Sequence, residues 1–222
     1  MQNRVSRARF SAVDFKLGVS NSALAMSKKT ISEMLFEQFC ESNSLVYERV
    51  PTGDGPSPDY CVKLEAGHVY FEIKEIERDD AFSSESSTRT VGDHIRAKIN
   101  EARDQMRAAS AAGSPTVLLV YNNLDPLQRF GTEELDFLAA MYGEPTVLLS
   151  VESRKIVDSF HGRNKSFRKG KNESFSAIGL LRKVPSSAVT AHIYENVHAG
   201  VQLRYESLPV CFTFKRVEFE DD

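Results

Sequence analysis

The feature that most constrains the fold is a strand, a helix and a second strand that follow one another in residues 68–121. Residues 68–76 are rich in β-branched and aromatic side chains, which favour a strand. Residues 91–112 repeat apolar side chains at helical spacing and end at a Gly-Ser-Pro turn. Residues 116–121 are almost wholly apolar, as in a strand buried on both faces. Since 41% of the 222 residues are hydrophobic, the chain can bury such a strand under helices.

The remaining elements predict a mixed α/β fold with a partly antiparallel sheet. Residues 59–64 and 68–76 flank a Glu-Ala-Gly turn, so the two segments form a hairpin. The predicted order is helix, strand, strand, strand, helix, strand, helix, strand, which is typical of the α/β class. Further helices are predicted over residues 27–41 and 132–142, and further strands over 45–50, 145–151 (of the buried kind), 178–181, 189–194, 201–205 and 210–219.

The composition excludes several classes of protein. The longest apolar runs, such as residues 117–120, are too short to cross a bilayer. The basic N-terminus lacks the apolar stretch of a secretory signal. Three distant cysteines without a CxxC motif indicate neither a disulfide framework nor a zinc ribbon. We therefore expect a cytoplasmic protein with no membrane partner.

The net charge of −3 argues against a protein that binds nucleic acid by bulk positive charge. The charges are nevertheless segregated, because residues 1–29 and 154–183 are basic while residues 72–80 and the C-terminus are acidic. A cluster of cations within residues 165–171 has two interpretations. It is either a clamp for phosphates, with Phe167 available to stack on a base, or a solvated flexible loop. Its members are Lys165, Arg168, Lys169 and Lys171.

One group of residues in the predicted hairpin carries candidate chemistry. Side chains at positions i and i+2 of a strand share a face, so Glu72 and Lys74 point together while Ile73 points to the core. With the turn centred on residues 66–67, Asp59 lies opposite Lys74 and diagonal to Glu72. The three polar side chains therefore converge on one face of the hairpin.

Two carboxylates and an amine in this arrangement suit a hard metal ion such as Mg²⁺ or Mn²⁺. Asp59 and Glu72 offer oxygen ligands, to which the main-chain carbonyl of Ile73 would add another. Lys74 would orient or deprotonate an attacking water, or neutralise charge on a phosphorus centre. The alternative is a solvated strand face whose cross-strand ion pair contributes only ~0.2–1 kcal/mol.

These residues resemble the PD-(D/E)xK nuclease superfamily, which includes type II restriction enzymes and archaeal Holliday-junction resolvases. The resemblance consists of Pro58-Asp59, a twelve-residue gap and Glu72-Ile73-Lys74, preceded by an acidic helix. It implies an α/β fold with a restriction-endonuclease-like αβββαβ core, in which helices flank a mixed sheet. Residues 1–26 would then form an N-terminal arm, residues 27–151 the nuclease core, and residues 152–222 a C-terminal elaboration packed on that core.

The resemblance also implies roles for residues outside the hairpin. In resolvase-like members the first helix supplies another carboxylate, for which Glu33 is preferred here and Glu37, one turn later, is the competing candidate. Many members carry a glutamine or a basic residue on the helix after the third strand. The positions that would serve in this chain, by contacting nucleic acid, are Arg96, Lys98 and Gln105.

The sequence thus predicts a Mg²⁺-dependent endonuclease that hydrolyses phosphodiester bonds in nucleic acid, with DNA favoured over RNA. Its catalytic residues would be Asp59, Glu72, Lys74 and Glu33. The C-terminal residues would supply substrate contacts or the surface of a homodimer. The alternative function is a non-catalytic nucleic-acid-binding or protein-interaction module on the same fold.

Overall fold

A mixed sheet of seven strands organises the part of the chain that the computed structural model describes, namely residues 29–51, 53, 55–78, 89–184 and 188–217. Its strands lie in the order β1-β2-β3-β4-β7-β8-β9. The strands are β1 (Val46–Arg49), β2 (Tyr60–Leu64), β3 (Gly67–Ile76), β4 (Thr116–Asn122), β5 (Pro145–Leu149), β6 (Ile156–His161), β7 (Ala177–Lys183), β8 (Val189–Glu195) and β9 (Phe212–Lys215). The helices are α1 (Ile31–Ser42), α2 (Asp93–Glu101), α3 (Arg103–Ala111) and α4 (Glu134–Tyr142).

The centre of the sheet is parallel and its margins are largely antiparallel. Strand β4 pairs in parallel with β3 on one side and with β7 on the other. Strands β1, β2 and β3 pair antiparallel, as do β7 and β8, whereas β9 joins β8 in parallel. Every residue of β4 is buried, which confirms the strand predicted from its apolar run. The predicted α/β class with a mixed sheet flanked by helices is therefore confirmed.

Helices cover both faces of this sheet. Helix α1 packs on one face, where the ring of Phe36 lies 5.0 Å from that of Tyr60 and 5.2 Å from that of Phe71. On the other face, α2, α3 and α4 bury an apolar cluster against β4 that includes Ile95 and Phe137. Alternate residues of strand β3 point to the two faces of the sheet, so the strand packs against α1 on one face and against the other helices on the opposite face.

Helix α1 begins where its capping chemistry places it. The sequence predicts a helix over residues 27–41, and α1 spans Ile31–Ser42. Thr30 is the N-cap, because its hydroxyl accepts a hydrogen bond from the Glu33 main-chain N–H and the Glu33 carboxylate accepts one from the Thr30 N–H. The helix predicted over residues 91–112 is instead two helices, α2 and α3, which meet at Ala102.

The strand predicted over residues 145–151 is present as β5 (Pro145–Leu149), but the prediction that it is buried is wrong. Strand β5 pairs with β6 in a separate two-stranded ribbon, and its side chains are mostly exposed. The main sheet continues instead with β7, which lies beside β4. An apolar run identifies a strand, but it does not identify the strand's partner.

The C-terminal residues are part of the same sheet. Strands β7, β8 and β9 extend it beyond β4, so the residues after 151 contribute three of its seven strands. Residues 201–205 are not a strand, and a short 3-10 turn occupies Tyr205–Ser207. The predicted N-terminal arm, residues 1–26, lies outside the described residues. Among the described residues, no helix combines the length and apolar character needed to span a membrane.

Replacing Phe71 should test how much α1 depends on β3. The Phe71 ring is fully buried against Phe36, so Phe71→Ala should lower the free energy of unfolding by about 3–5 kcal/mol, as measured by urea denaturation. Phe214→Ala is the matched control, because that ring on β9 is 40% exposed and should cost less than half as much. Equal losses in the two variants would contradict the packing described for β3.

Candidate active site

The candidate site forms where β2 begins beside β3. Tyr60 pairs with Phe71 and Leu64 with Gly67, so the connecting turn is Glu65-Ala66. The turn predicted at residues 66–67 therefore lies one residue earlier in the structure. Extending the observed pairing by one residue beyond Tyr60 and Phe71 puts Glu72, and not Lys74, opposite Asp59. Because the register differs by two residues, every side chain keeps its predicted face.

Glu72 and Lys74 share the face that points away from α1, as the alternation of β3 predicts. The Lys74 ammonium lies 2.7 Å from the Glu72 carboxylate. Asp59 is half-buried at the start of β2, and its Oδ2 accepts a hydrogen bond of 2.8 Å from the Ile73 main-chain N–H. That hydrogen bond holds the Asp59 carboxylate at the edge of the β2–β3 ladder, next to the Glu72–Lys74 pair.

The Glu72 carboxylate is buried to an unusual degree for an acid. It is only 2% exposed, and it lies beside Leu118 of the neighbouring strand. Burial, followed by the negative charge of Asp59, raises the pKa of Glu72 to about 7, although Lys74 opposes the shift. Its Oε2 has no hydrogen-bond partner in the described part of the chain. An unpaired buried carboxylate oxygen is costly, so a cation or a proton at this position would stabilise the protein.

Lys74 keeps its positive charge in this setting. Burial alone would lower its pKa, but the carboxylates of Glu72 and Asp59 outweigh that effect and raise it. Burial also raises the pKa of Asp59, a shift that its hydrogen bond with Ile73 and the charge of Lys74 oppose. A lysine that remains an ammonium ion is suited to neutralising negative charge and not to removing a proton from water.

Of the two candidate carboxylates on α1, it is Glu33 that affects the pKa of Asp59. The negative charge of Glu33 contributes to the raised pKa of Asp59. Glu37 points elsewhere, where it accepts hydrogen bonds from the Tyr60 hydroxyl at 2.9 Å and from Lys29 at 2.6 Å. This placement favours Glu33 as the helix carboxylate of the site.

Arg49 belongs to the site and was not identified from the sequence. Its guanidinium forms an ion pair with Glu33, whose other oxygen accepts the hydrogen bonds of the α1 cap. The positive charge of Arg49 also opposes the rise in the pKa of Asp59, so the two groups are close. The strand β1 that carries Arg49 was predicted, but no motif indicated that its last residue would face the site.

The three predicted nucleic-acid contacts on α2 and α3 have different environments. The Arg96 guanidinium is 14% exposed and bonds to Asp93 and to the carbonyls of Val91 and Ala139, so it links α2 to α4. Lys98 pairs with Glu101 at 2.9 Å, and the charge of Glu101 contributes to the raised pKa of Lys74. Gln105 is half-buried on α3. It is the carboxylate partner of Lys98, and not Lys98 itself, that affects the pKa of a site residue.

The basic cluster forms a tight turn that is tied to α4. Main-chain N–H groups of Ser166 and Phe167 donate to the carbonyls of Ala140 and Met141, at 3.0 and 2.8 Å. The Phe167 ring is fully buried, so it packs on Phe175 and is not available to stack on a base, contrary to the prediction. The side chains of Lys165, Arg168 and Lys169 are exposed, and that of Lys171 is half-buried.

The protein supplies too few donor groups to coordinate Mg²⁺ alone, so substrate and water would have to complete its coordination. Within the described ranges, no group of three or more histidine, cysteine, aspartate or glutamate side chains is arranged to hold a metal. Two carboxylates do meet, and one of them has a buried oxygen without a partner. Mg²⁺ is commonly held by one or two carboxylates together with water and substrate phosphates. The donors present are therefore compatible with such an ion, for which Asp59 and Glu72 would be the protein ligands.

When compared with known proteins, the chain matches no protein-family model, no curated protein and no solved structure. The function must therefore be argued from the geometry and charges of this site.

The pKa of Glu72 predicts how stability depends on pH. Because the folded-state pKa of about 7 exceeds the ordinary value of 4.5, the folded protein binds the proton more tightly than the unfolded chain does. Its contribution to stability is fully present below pH 4.5 and is lost as the pH rises to about 7. Glu72→Gln cannot ionise, so it should gain stability relative to wild type over this interval, on the order of 3 kcal/mol.

Urea denaturation at several pH values, in the presence of a chelator, measures this difference. Glu65→Gln is the control, since Glu65 is exposed in the β2–β3 turn and should show a constant offset from wild type. If the difference in free energy of unfolding between Glu72→Gln and wild type does not change with pH, the pKa of Glu72 is not raised by folding.

Proposed function

We propose that this chain is a Mg²⁺-dependent endonuclease of the PD-(D/E)xK type that hydrolyses phosphodiester bonds, with DNA the preferred substrate. The observation that carries the proposal is the buried, unpartnered oxygen of Glu72 beside Asp59 and Lys74. A protein that needed only stability would gain by replacing this carboxylate with an apolar side chain. The order α1, β1, β2, β3, α2–α3, β4 also supports a restriction-endonuclease-like core.

Each residue of the site has a role that follows from its environment. Asp59 is held by the Ile73 N–H, so its carboxylate has a defined position for a ligand. The raised pKa of Glu72 favours its protonated form, so a bound cation would favour ionisation and couple it to metal binding. When bound, Mg²⁺ would supply Lewis-acid stabilisation of a phosphate and a lower pKa for water.

The cations of the site would act on the substrate. Lys74 retains its proton and would neutralise negative charge that develops on the phosphorus oxygens. Arg49, held in place by Glu33, offers a guanidinium on the α1 side of Asp59, where it can form a charge-assisted hydrogen bond with a neighbouring phosphate. In this proposal Glu33 acts by positioning Arg49.

The alternative is a non-catalytic nucleic-acid-binding module. It is favoured by one observation, that the cap of α1 and Arg49 already occupy the Glu33 carboxylate, which leaves two carboxylates where three were predicted. The two functions differ in whether Asp59 and Glu72 are needed for hydrolysis or only shape a surface.

Cleavage assays distinguish the two functions. We expect Mg²⁺ or Mn²⁺ to support cleavage or nicking of DNA and Ca²⁺ to fail, because the looser coordination of Ca²⁺ places water poorly. Glu72→Gln and Lys74→Ala should each lower the rate by at least about 100-fold. The substrates are supercoiled plasmid, linear duplex, single-stranded and four-way-junction DNA, followed on gels.

The matched controls are Glu65→Gln and Lys63→Ala, which remove the same groups from exposed positions of the same hairpin and should leave the rate unchanged. Thermal denaturation of each variant shows whether it remains folded. Cleavage that persists at the wild-type rate with chelator present, or in folded Glu72→Gln, would exclude the proposed mechanism.

The basic turn is tested separately through the salt dependence of binding. If its cations grip phosphates, each one replaced should reduce the log–log salt slope by about 0.7–0.9. The variant changes Lys165, Arg168, Lys169 and Lys171 to serine in the Lys74→Ala background. Fluorescence anisotropy with labelled DNA should then show weaker binding at low salt and unchanged sequence preference.

A control variant removes four exposed cations that are distant from one another in the sequence, namely Lys63, Arg107, Lys183 and Arg204. It has the same net charge as the first variant, so any difference between the two reflects the position of the charges. Identical titration curves for both variants would show that the basic turn is a solvated loop without a specific role in binding.

A further inference from the structure

A cavity of about 370 Å³ lies between the start of α4 and the strands β7 and β8. Leu180 pairs with His192 and Arg182 pairs with Thr190, so these four side chains share one face of the sheet and form the floor of the cavity. The wall consists of Gln128, Arg129, Thr132, Glu133 and Glu134. The volume falls within the roughly 300–1,000 Å³ that is usual for sites of small molecules.

Hydrogen bonds of the loop before α4 hold this wall in place. The Asp125 carboxylate accepts hydrogen bonds from three main-chain N–H groups of the loop, at 2.8–2.9 Å. The Gln128 side chain bonds to both the N–H and the carbonyl of Lys183, at 2.9 and 2.8 Å. The loop is therefore attached to the end of β7, so the cavity is formed before any ligand binds, as is usual for small-molecule sites.

Two aromatic side chains of the cavity offer polar atoms to a ligand. Tyr194 is only 4% exposed, and its hydroxyl has no hydrogen-bond partner in the part of the chain that the structure describes. Buried hydroxyls normally have a partner, so a polar atom of a ligand would satisfy this one. The Nδ1 atom of His192 lies 2.8 Å from the Thr213 hydroxyl, which orients the imidazole and leaves Nε2 for a ligand. Burial lowers the pKa of His192, so this ring is uncharged at neutral pH.

The acidic side chains of the cavity are already engaged, whereas its arginines are not. The Glu134 carboxylate lies 2.5 Å from the Lys215 ammonium, and the Glu133 carboxylate caps α4. Neither Arg129 nor Arg182 forms an ion pair among the described residues. The cavity therefore has uncompensated positive charge, and guanidinium groups bind carboxylates and phosphates well.

The two arginines have only weak interactions with their surroundings. The Arg182 guanidinium donates one long hydrogen bond, of 3.4 Å, to the Leu127 carbonyl. Burial would raise the pKa of Asp125, but main-chain hydrogen bonds and the charge of Arg129 lower it, so Arg129 lies near this carboxylate. The Asp125 carboxylate is already held by the loop, so both guanidinium groups remain available to an anion.

We propose that this cavity binds a small aromatic anion, whose phosphate or carboxylate pairs with Arg182 and Arg129. Its ring would lie on the floor against Leu180 and His192, and a polar atom of the ring would accept the hydrogen of the Tyr194 hydroxyl. The phosphate of a nucleoside monophosphate and the carboxylate of an aromatic acid share this chemistry.

The cavity is separate from the Glu72–Lys74 site. Lys74, Val120 and Leu180 lie in one row across the sheet, and Val120 between the other two is fully buried. The proposal does not depend on the proposed nuclease activity, and binding can be measured without DNA.

Isothermal titration calorimetry of the full chain tests the proposal. The probes are the four nucleoside monophosphates AMP, CMP, GMP and UMP, and 4-hydroxybenzoate. We expect a dissociation constant below about 1 mM for at least one probe. The uncharged counterpart of that probe, its nucleoside or phenol, should bind at least about tenfold more weakly, because the arginines gain nothing from it. The ranking of nucleotides against 4-hydroxybenzoate identifies which anionic group the arginines prefer.

Two variants locate the ligand in the cavity. Arg182→Gln should raise the dissociation constant of the best probe by about tenfold or more, since it removes a charge-assisted hydrogen bond. Tyr194→Phe removes only the unpartnered hydroxyl, so it should raise the dissociation constant by about 2–10-fold and leave the thermal unfolding temperature near that of wild type. Arg107→Gln and Tyr121→Phe are the matched controls, because these residues lie outside the cavity and should leave binding unchanged.

Three results would each overturn the proposal. The first is the absence of binding by every probe at about 10 mM, a decade above the expected limit. The second is a dissociation constant that both cavity variants leave at the wild-type value. The third is inorganic phosphate binding as tightly as the best probe, which would indicate an adventitious ion only. Circular dichroism verifies that each variant is folded, and the wild-type titration with the uncharged counterparts decides the proposal even if a variant is not.

Discussion

The pairing of β3 with an antiparallel strand on one side and a parallel strand on the other is the constraint on which the site depends. The β2 side determines where Asp59 lies, because that carboxylate accepts the Ile73 N–H where the ladder ends. The β4 side determines the environment of Glu72, because Leu118 lies beside it. One strand therefore orders Asp59 and buries Glu72, while its alternate residues hold α1 in place. A change in the β2–β3 register would move the two carboxylates apart, whereas a change in the β3–β4 register would give Glu72 a different neighbour.

The site brings two carboxylates into a buried environment, which disfavours their ionised forms. Glu72 is buried, lies near Asp59 and has one oxygen without a partner, so its ionised form is unfavourable unless a cation is close. Lys74 supplies part of that compensation, and the remaining deficit is what a bound metal would remove. Such an arrangement reduces the stability of the folded protein, and this cost is typical of a site retained for function.

Helix α1 provides more than a packing surface. Its N-terminal cap holds one oxygen of Glu33, and the other oxygen pairs with Arg49 at the end of β1. The cap and the ion pair together fix a guanidinium on the side of Asp59 that faces α1. Lys74 lies on the opposite face of the sheet, so the Asp59 carboxylate has a cation on each side. In the proposed function, these two cations would contact a phosphate backbone from two sides.

The sequence by itself determined the central strands β2, β3 and β4 and the facing of the hairpin. Alternation in β3 and the Gly-Ser-Pro stop before β4 are local properties, and local properties can be read from neighbouring residues. The same alternation placed Glu72 and Lys74 together even though the predicted turn lay one residue from its position, because the pairing register then differs by two residues and an even shift preserves the face.

Only the tertiary structure decided which partners those elements meet. The apolar sequence of strand β5 predicts a buried strand, but β7 lies beside β4 in the sheet. The hydrophobic effect favours burial of apolar surface and does not specify which strand is the partner. Arg49 and Glu33 are distant in the chain and carry no shared motif, so their ion pair follows from the packing of α1 near β1. The burial of Glu72 likewise depends on β4 and the helices above it. Side-chain facing is a local property of a strand, whereas solvent exclusion and electrostatic partners depend on parts of the chain that are remote in sequence.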